Sequence, residues 1–275
     1  MSAGHALVAL DLDRTLIYSA AGGGGLPGAR LVETYDGAPA SWMTENAWHR
    51  LAELMDRAEV VTVTTRSTEQ YQRIRLPRTP AYALCSNGGT LLVEGVPDRG
   101  WRDRSLAIAA GAAPLSEVRC GLDEVADASW VRLVRDVEGL FCYLVAQSRE
   151  AIPPDWLAGL AESAGPLGWT TSLQGRKVYL VPQGVDKASG VRRLRERLGD
   201  LVTTTLAAGD SLLDAGMLVA ADRAIRPAHG ELHDTGWSSD GVDVTVGAGI
   251  AAGEEIVLWA LEQLAVTAVS VPARS

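Results

Sequence analysis

Apolar and polar positions along the chain follow two different patterns, which predict two structural units. In residues 1–88 and 180–275, short apolar runs alternate with amphipathic stretches of helical period, as in alternating strands and helices. Residues 89–179 instead contain paired runs at the two-residue period of strands, separated by glycine turns. The sequence therefore predicts an α/β fold in which an α+β cap, residues 89–179, is inserted into a discontinuous, doubly wound, Rossmann-like core.

Hydrophobic periodicity and capping residues place the elements of the predicted core. Apolar or β-branched runs predict strands over residues 6–11, 59–64, 81–85 and 201–208. Amphipathic patterns predict helices over residues 41–57, 67–75, 186–198, 213–221 and 254–265. Ser41 or Thr44 would cap the first of these helices and Ser67 the second, because a hydroxyl at this position accepts a hydrogen bond from the first helical turn.

Inside the predicted cap, strand-like runs on either side of a turn indicate two hairpins. They cover residues 130–145, with Glu138 and Gly139 at the turn, and residues 169–181. Helical patterns lie over residues 114–126 and 154–164. Hairpins mixed with helices in this way are typical of a separate α+β unit.

Two aspartates, Asp11 and Asp13, directly follow the first predicted strand. In open α/β sheets, ligands bind at the carboxyl ends of the strands. Neighbouring carboxylates repel each other unless a cation or a shared proton relieves the charge. The pair therefore indicates a divalent cation, a carboxylate nucleophile or both. Solvated acids in an ordinary turn explain the pair equally well when it is considered alone.

Two further sites each have a functional and an ordinary interpretation. Thr64 ends the second predicted strand, and its hydroxyl could bind an anionic oxygen, although Ser67 capping a helix explains the segment too. Lys187 begins a helix, where a cation opposes the helix dipole, so its position needs a reason. That reason is either an ion pair with strand-end carboxylates or a phosphate, or a solvated contact with Asp186 or Glu196.

A second pair of carboxylates, Asp210 and Asp214, lies where the strand over residues 201–208 leads into a helix. Because the two are four residues apart, they share one face of the first helical turn. They could complete a set of oxygen ligands for Mg²⁺, which prefers carboxylates and water. An acidic helix start that complements the dipole is the ordinary alternative.

The composition narrows the class of partner. A net charge of -9 argues against a nucleic-acid partner, whereas a bound metal would still allow an anionic small molecule. We expect no membrane partner, since there is neither an apolar run of membrane-spanning length nor a secretory pattern at the start. Cys85, Cys120 and Cys142 lie among apolar or small residues at no metal-like spacing, which predicts buried free thiols and a cytoplasmic location.

Lysine is rare in this chain. Lysine and arginine together number 25, and only Lys177 and Lys187 are lysines, so 25 − 2 leaves 23 arginines. In such a background, a lysine indicates a position that requires a compact ammonium charge. Codon bias accounts equally well for the arginine excess, and chance could leave two lysines anywhere.

In combination, these sites resemble the four motifs of the haloacid dehalogenase (HAD) superfamily of phosphatases. The matching segments, in order, are residues 11–16, 63–66, 184–187 and 209–214. Arg14 and Thr65 stand where relatives often have glycine. Residues 86–89 resemble the entrance to the cap in the type IIB, Cof-like branch. That branch includes sucrose-phosphate, trehalose-phosphate and mannosyl-3-phosphoglycerate phosphatases and phosphomannomutases.

The resemblance implies a Mg²⁺-dependent phosphomonoester hydrolase that acts through an aspartyl-phosphate on a small, sugar-like phosphorylated metabolite. It implies Asp11 as the nucleophile and Asp13 as the acid and base. The implied metal ligands are Asp11, the backbone carbonyl of Asp13, and Asp210, with Asp214 in or next to that set. The implied phosphate-binding residues are Thr64, Arg66 and Lys187, and Asn87 and Gly88 would lie near the substrate at the cap entrance.

Two alternatives to this function remain from the sequence. One is a phosphomutase that uses the same aspartyl-phosphate. The other is a non-catalytic sensor or partner protein that binds a phosphorylated ligand. The presence of Asp11, Asp13, Lys187 and Asp210 together argues against the second.

Overall fold

Strands and helices alternate through most of the chain, as the apolar pattern predicts. A computed structural model of the chain describes residues 5–269. The β-strands, in chain order, are β1 His5–Leu10, β2 Ala29–Tyr35, β3 Ala38–Thr44, β4 Glu59–Val63, β5 Tyr82–Cys85, β6 Thr90–Val93, β7 Val96–Pro97, β8 Val131–Val137, β9 Phe141–Ala146, β10 Trp169–Gln174, β11 Lys177–Pro182, β12 Val202–Ala208, β13 Arg223–Arg226 and β14 Val242–Val244. The α-helices are α1 Glu45–Arg57, α2 Thr68–Tyr71, α3 Arg99–Ala109, α4 Leu115–Asp123, α5 Pro154–Ala164, α6 Lys187–Leu198, α7 Leu212–Ala220, α8 Glu231–Asp234 and α9 Ile250–Val269.

The core sheet runs in the order β14-β13-β12-β1-β4-β5-β6-β7. β1 is parallel to β12 on one side and to β4 on the other. Its side chains are buried on both faces of the sheet, Val8 and Leu10 in one apolar cluster and Leu7 and Ala9 in another. The carboxyl ends of β12, β1 and β4 therefore lie side by side, at the edge where such sheets bind ligands.

Helices cover both faces of the core sheet. α1 and α9 pack on one face, through Leu51 and Ile256 among others. α6 and α7 pack on the other face, through residues that include Leu194 and Met217. This layering confirms the doubly wound α/β core that the sequence predicts.

A second, antiparallel sheet runs in the order β10-β11-β9-β8. Leu144 of β9 and Leu180 of β11 are fully buried in one apolar cluster with Leu122 of α4 and Leu160 of α5. This sheet and its helices form the α+β unit that the sequence predicts between the two parts of the core, and we call it the cap.

The structure differs from the predicted boundary at the start of the cap. β6 pairs antiparallel with β5, and β7 pairs with β6, so residues 90–97 extend the core sheet. The chain reverses in a tight turn at residues 86–88. Trp101 of α3 is also buried in the core cluster. A hairpin at the edge of a parallel sheet has the same strand-like period as the cap, so periodicity alone did not separate the two.

Local predictions also differ from the structure in detail. The helix predicted over residues 41–57 begins at Glu45, because residues 38–44 pair with β2. Thr44 caps it, as predicted, and its side chain accepts a hydrogen bond from the backbone of Ala47. The helix predicted over residues 67–75 is only a single turn, and α9 is longer than predicted. Cys85 and Cys142 are buried free thiols as predicted, whereas the prediction for Cys120 is wrong because it lies exposed on α4.

Among residues 5–269, no helix combines the length and hydropathy that crossing a membrane requires.

The turn between β8 and β9 attaches the cap to the core through Glu138. Its carboxylate accepts hydrogen bonds from the backbone N–H of Thr68 at 2.8 Å and from the hydroxyls of Ser86 at 2.8 Å and Thr90 at 2.6 Å. Burial raises the pKa of Glu138, but these hydrogen bonds outweigh burial and lower it below its ordinary value. The contact therefore depends on an ionised carboxylate.

We expect Glu138→Ala to lower the free energy of unfolding by about 2 kcal/mol, since it leaves three partly buried donors without their acceptor. The measurement is urea unfolding of variant and wild type. Because the native pKa lies below that of the unfolded chain, the stabilisation is present above pH 4.5 and is lost as the pH falls through the native pKa. The difference in unfolding free energy between wild type and Glu138→Ala should therefore shrink as the pH falls below 4.5. Glu69→Ala, at an exposed position on α2, is the control, and equal stability of both variants would contradict the prediction.

Candidate active site

The central strands of the core sheet bring three predicted site residues to one edge. Asp11 directly follows β1, and its backbone N–H donates to the carbonyl of Ala208 at 2.9 Å. Thr64 directly follows β4, and Asp210 lies just beyond β12. All three side chains are buried. The predicted convergence of polar groups at the carboxyl ends of neighbouring strands is therefore present.

Lys187 lies in the middle of this group. Its Nζ is 2.5 Å from Oδ1 of Asp11 and 2.5 Å from Oδ1 of Asp214, and only 1% of the residue is exposed. Burial lowers the pKa of Lys187, but the two carboxylates outweigh burial and raise it above its ordinary value. The lysine therefore stays charged, and these ion pairs are the reason for a cation at the start of α6.

The loop before α6 positions Lys187 against the core. Asp186 caps the helix and accepts a hydrogen bond from the backbone N–H of Ser189 at 2.7 Å. Gly88 packs so closely on this loop that a Cβ there would lie 2.6 Å from the backbone oxygen of Asp186. The side-chain amide of Asn87 donates to the carbonyl of Val185 at 3.1 Å. Asn87 and Gly88 are thus buried supports of the Lys187 loop, and their predicted contact with the substrate stays a prediction.

Asp11, Asp210 and Asp214 form a buried acidic cluster whose ligand oxygens all lie within 4.8 Å of one another. Burial raises the pKa of Asp11 to about 7, with Lys187 opposing the rise and Asp214 adding to it. Burial likewise raises the pKa of Asp210 well above its ordinary value. Asp214 is fixed by Ser211, whose backbone N–H and hydroxyl donate to its Oδ2 at 3.0 and 2.7 Å.

The chemistry of this cluster fits a divalent cation. Lys187 pairs with Asp11 and Asp214, and Arg14 lies 3.5 Å from Asp210, so two cations only partly compensate three buried carboxylates. Oxygen ligands of this kind suit Mg²⁺. Glycines permit the close packing around the cluster, since a Cβ on Gly209 would lie 2.4 Å from Asp214 and one on Gly230 would lie 2.5 Å from Asp210.

The side chain of Asp13 lies outside the acidic cluster. Nε and Nη2 of Arg66 each donate to its carboxylate at 2.7 Å, and Nη1 of the same guanidinium donates to Glu33 at 2.7 Å. Partial burial raises the pKa of Asp13, but Arg66 outweighs it and lowers the pKa to about 2. The Arg66 guanidinium, predicted to bind phosphate, thus contacts two carboxylates. Glu33, on the β2–β3 hairpin, belongs to no motif and was missed.

Arg14 occupies a conformation that explains the glycine expected at this position. Its φ is 64°, in the left-handed region that favours glycine. Its Nε lies 3.5 Å from Oδ2 of Asp210, and its backbone carbonyl lies 2.9 Å from Nε2 of His229. Arg14 therefore places a cation beside the acidic cluster.

A crevice of about 860 Å³ lies between core and cap. Its core wall includes Ser67 and Thr68, which directly follow Arg66, and its cap wall includes Arg135, Tyr143 and Lys177. Close by, the tip of the β10–β11 hairpin contacts the core where the Gln174 side chain donates to the hydroxyl of Ser211 at 3.1 Å. Among these cap residues, Lys177 was singled out from the sequence through the rarity of lysine.

No family model and no curated protein matches the chain by sequence. Solved structures do match, at low identity. The sucrose-phosphatase of Synechocystis sp. PCC6803, in complex with sucrose and phosphate, superposes with a TM-score of 0.62 at 17% identity, covering 96% of this chain and 99% of that one.

Two other solved structures give the same result. A trehalose-6-phosphate phosphatase related protein has a TM-score of 0.56 at 21% identity, covering 95% of this chain and 99% of that one. The HAD subclass IIB sugar phosphatase BT4131 has a TM-score of 0.57 at 11% identity, covering 94% and 99%. The chain therefore has the fold of the haloacid dehalogenase superfamily phosphatases of type IIB, a Rossmann-like core with an inserted cap.

Proposed function

We propose that the chain is a Mg²⁺-dependent phosphomonoester hydrolase that forms an aspartyl-phosphate on Asp11. The observation that carries this proposal is the pairing of Asp11 with Lys187 at 2.5 Å inside the acidic cluster. A buried carboxylate beside a fixed cation, at the carboxyl end of the central strand, is suited to attack a phosphoryl group. The fold supports the same conclusion, because the three compared structures carry phosphatase names.

The first step transfers the phosphoryl group to the enzyme. A carboxylate oxygen of Asp11 forms a bond to phosphorus as the bond between phosphorus and the alcohol oxygen breaks, and the alcohol takes a proton from Asp13. Lys187 balances negative charge on Asp11 and on the phosphoryl group. The Thr64 hydroxyl accepts a hydrogen bond from the backbone N–H of Arg66 at 3.1 Å, which leaves its own proton to donate to a phosphoryl oxygen.

Bound Mg²⁺ would neutralise charge on the phosphoryl oxygens. Asp11, Asp210 and the backbone carbonyl of Asp13 are its proposed ligands, with Asp214 next to them.

The second step returns the enzyme to its starting form. Asp13 takes a proton from water as the water oxygen attacks phosphorus and the bond to Asp11 breaks. Asp13 is ionised beside Arg66 and can accept a proton, but the lowered pKa makes it a weak base there, so this step too requires the carboxylate to leave Arg66. The first step requires the carboxyl group to leave Arg66 and carry a proton. Its side chain is 47% exposed, which gives it room to turn.

The crevice between core and cap suits a small, sugar-like leaving group. Its volume, about 860 Å³, lies within the range of small-molecule sites. The compared proteins named for sucrose, trehalose and sugar phosphates support the same substrate class.

We expect p-nitrophenyl phosphate to be hydrolysed in the presence of Mg²⁺, with activity lost in EDTA and restored by excess Mg²⁺.

Asp210→Asn should raise the Mg²⁺ concentration needed for half-maximal activity by at least about tenfold, because it removes one proposed charged ligand. The measurement is the rate of phosphate release against Mg²⁺ concentration. Asp200→Asn, at an exposed position, is the control. Equal turnover in EDTA would contradict the proposal, and sugar-phosphate isomers formed without free phosphate would indicate a mutase.

A further inference from the structure

We infer that the cap wall of the crevice holds an anion-binding subsite formed by Lys177 and Arg135. Resting on the proposed function, this inference narrows the substrate class. The substrate is a phosphomonoester whose alcohol part carries a second anionic group, a carboxylate or another phosphate.

The strand register of the cap sheet places the two cations on one face. Lys177 of β11 is paired with Val145 of β9, and Tyr143, two residues before Val145, is paired with Arg135 of β8. Residues two apart on a strand point to the same side, so Lys177, Tyr143 and Arg135 share the face that lines the crevice. Because β9 lies between β11 and β8, the strands that carry Lys177 and Arg135 are about 10 Å apart.

An aromatic ring lies between the two cations. The Lys177 Nζ is 5.8 Å from the centroid of the Tyr143 ring. Tyr143 is only 7% exposed, so its ring holds the Lys177 ammonium group through a cation–π contact. The flexible lysine and arginine side chains on either side of it can both reach one bound anionic group.

The uncompensated charge on this wall is positive. Within residues 5–269, no carboxylate lies in ion-pair distance of Lys177 or Arg135. The acids of the cap wall have other partners, since Asp136 is 2.7 Å from Arg119 and Glu138 is 3.3 Å from Arg102. A neutral leaving group would leave both cations without a counter-charge, whereas an anionic one would supply it.

The subsite adjoins the reacting groups. Gln174, which is paired with Lys177 in the β10–β11 hairpin, donates to the hydroxyl of Ser211 at 3.1 Å, and that hydroxyl donates to Asp214 of the acidic cluster. On the core side, the crevice wall at Ser67 and Thr68 directly follows Arg66, which holds Asp13. A leaving group that extends from Asp11 past Asp13 into the crevice therefore reaches the wall that carries Lys177 and Arg135. Of the two lysines in a chain with 23 arginines, Lys187 thus lies beside Asp11 and Lys177 lines the adjoining crevice.

The test compares matched substrates that differ in one anionic group. Phosphate release is measured for glucose 1-phosphate against glucuronate 1-phosphate, and for fructose 6-phosphate against fructose 1,6-bisphosphate. The first pair tests a carboxylate and the second a phosphate. We expect kcat/KM to be higher for the anionic member of at least one pair by about tenfold, mostly through a lower KM, and this preference should weaken at high salt.

Variants assign the preference to the subsite. Lys177→Met and Arg135→Met should each reduce the kcat/KM ratio within the preferred pair by about tenfold. Arg104→Met, at an exposed position on α3 outside the crevice wall, should leave the ratio unchanged. Turnover of p-nitrophenyl phosphate by wild type without preference for the anionic member of either pair would overturn the inference. So would variants that keep the preference. If p-nitrophenyl phosphate itself is not hydrolysed with Mg²⁺, the proposed function has failed instead.

Discussion

Asp11→Asn is expected to reduce kcat by at least about 10⁴-fold with the fold intact, because an amide cannot replace the carboxylate as nucleophile. Asparagine has the shape of aspartate, and its carbonyl oxygen can still accept the hydrogen bond that Lys187 donates at 2.5 Å. The measurement is turnover of p-nitrophenyl phosphate with saturating Mg²⁺. Asp200→Asn, with the same change at an exposed site, should keep full activity.

The thermal stability of Asp11→Asn distinguishes a loss of catalysis from a loss of folding. Asp11 is one of three buried carboxylates, of which it shares the Lys187 ammonium group with Asp214, and burial raises its pKa to about 7. Replacing it with a neutral group relieves repulsion, so without Mg²⁺ the variant should be at least as stable to heat as the wild type. A variant that keeps more than a tenth of the turnover, or that is clearly less stable, would contradict this interpretation of Asp11.

Lys187→Met is expected to lower the free energy of unfolding by about 3–5 kcal/mol without Mg²⁺, and to abolish turnover. The ammonium group pairs with both Asp11 and Asp214 at 2.5 Å in a largely buried site, so methionine would leave two buried carboxylates without a counter-charge. Urea unfolding in EDTA measures the loss. Adding Mg²⁺ should restore part of it, since the cation supplies the missing positive charge.

A double variant tests whether that loss comes from the ion pairs. In the Asp11→Asn background, Lys187→Met leaves only one carboxylate unpaired, so its effect should be smaller by about 1 kcal/mol or more. Equal losses in the two backgrounds would show that the lysine stabilises the fold by packing alone. That result would contradict the electrostatic role assigned to it.

Much of the site could be predicted because each of its parts has a local signal. Asp11, Thr64 and Asp210 all follow apolar strands, and a doubly wound sheet brings the carboxyl ends of those strands together whatever lies between them. Lys187 conflicts with the dipole of its own helix, which marks it as a residue with a partner elsewhere. For these residues, local chemistry and fold topology both indicate the same site.

The remaining features depend on contacts between segments far apart in the chain. Glu33 reaches Arg66 only because the β2–β3 hairpin folds over the end of β4, and neither residue shows this pairing in its own surroundings. The division between core and cap was misplaced for a similar reason, since β6 has the period of a cap strand but pairs with β5. The two hydrogen bonds from the Arg66 guanidinium to the Asp13 carboxylate likewise join segments that are far apart in the sequence.

The most direct test of the account is to trap the enzyme while the phosphoryl group is attached to it. Asp13→Asn lacks the proposed acid and base, but p-nitrophenolate leaves without needing a proton, so the variant can still form the intermediate and cannot hydrolyse it. Radiolabelled p-nitrophenyl phosphate mixed with this variant and Mg²⁺, then quenched in acid, should therefore leave label on the protein. We predict that the label lies on the peptide containing Asp11, is released by hydroxylamine as an acyl-phosphate, and is absent from the Asp11→Asn, Asp13→Asn double variant. Label on any other residue, or label unchanged in the double variant, would contradict the assignment of Asp11 as the nucleophile.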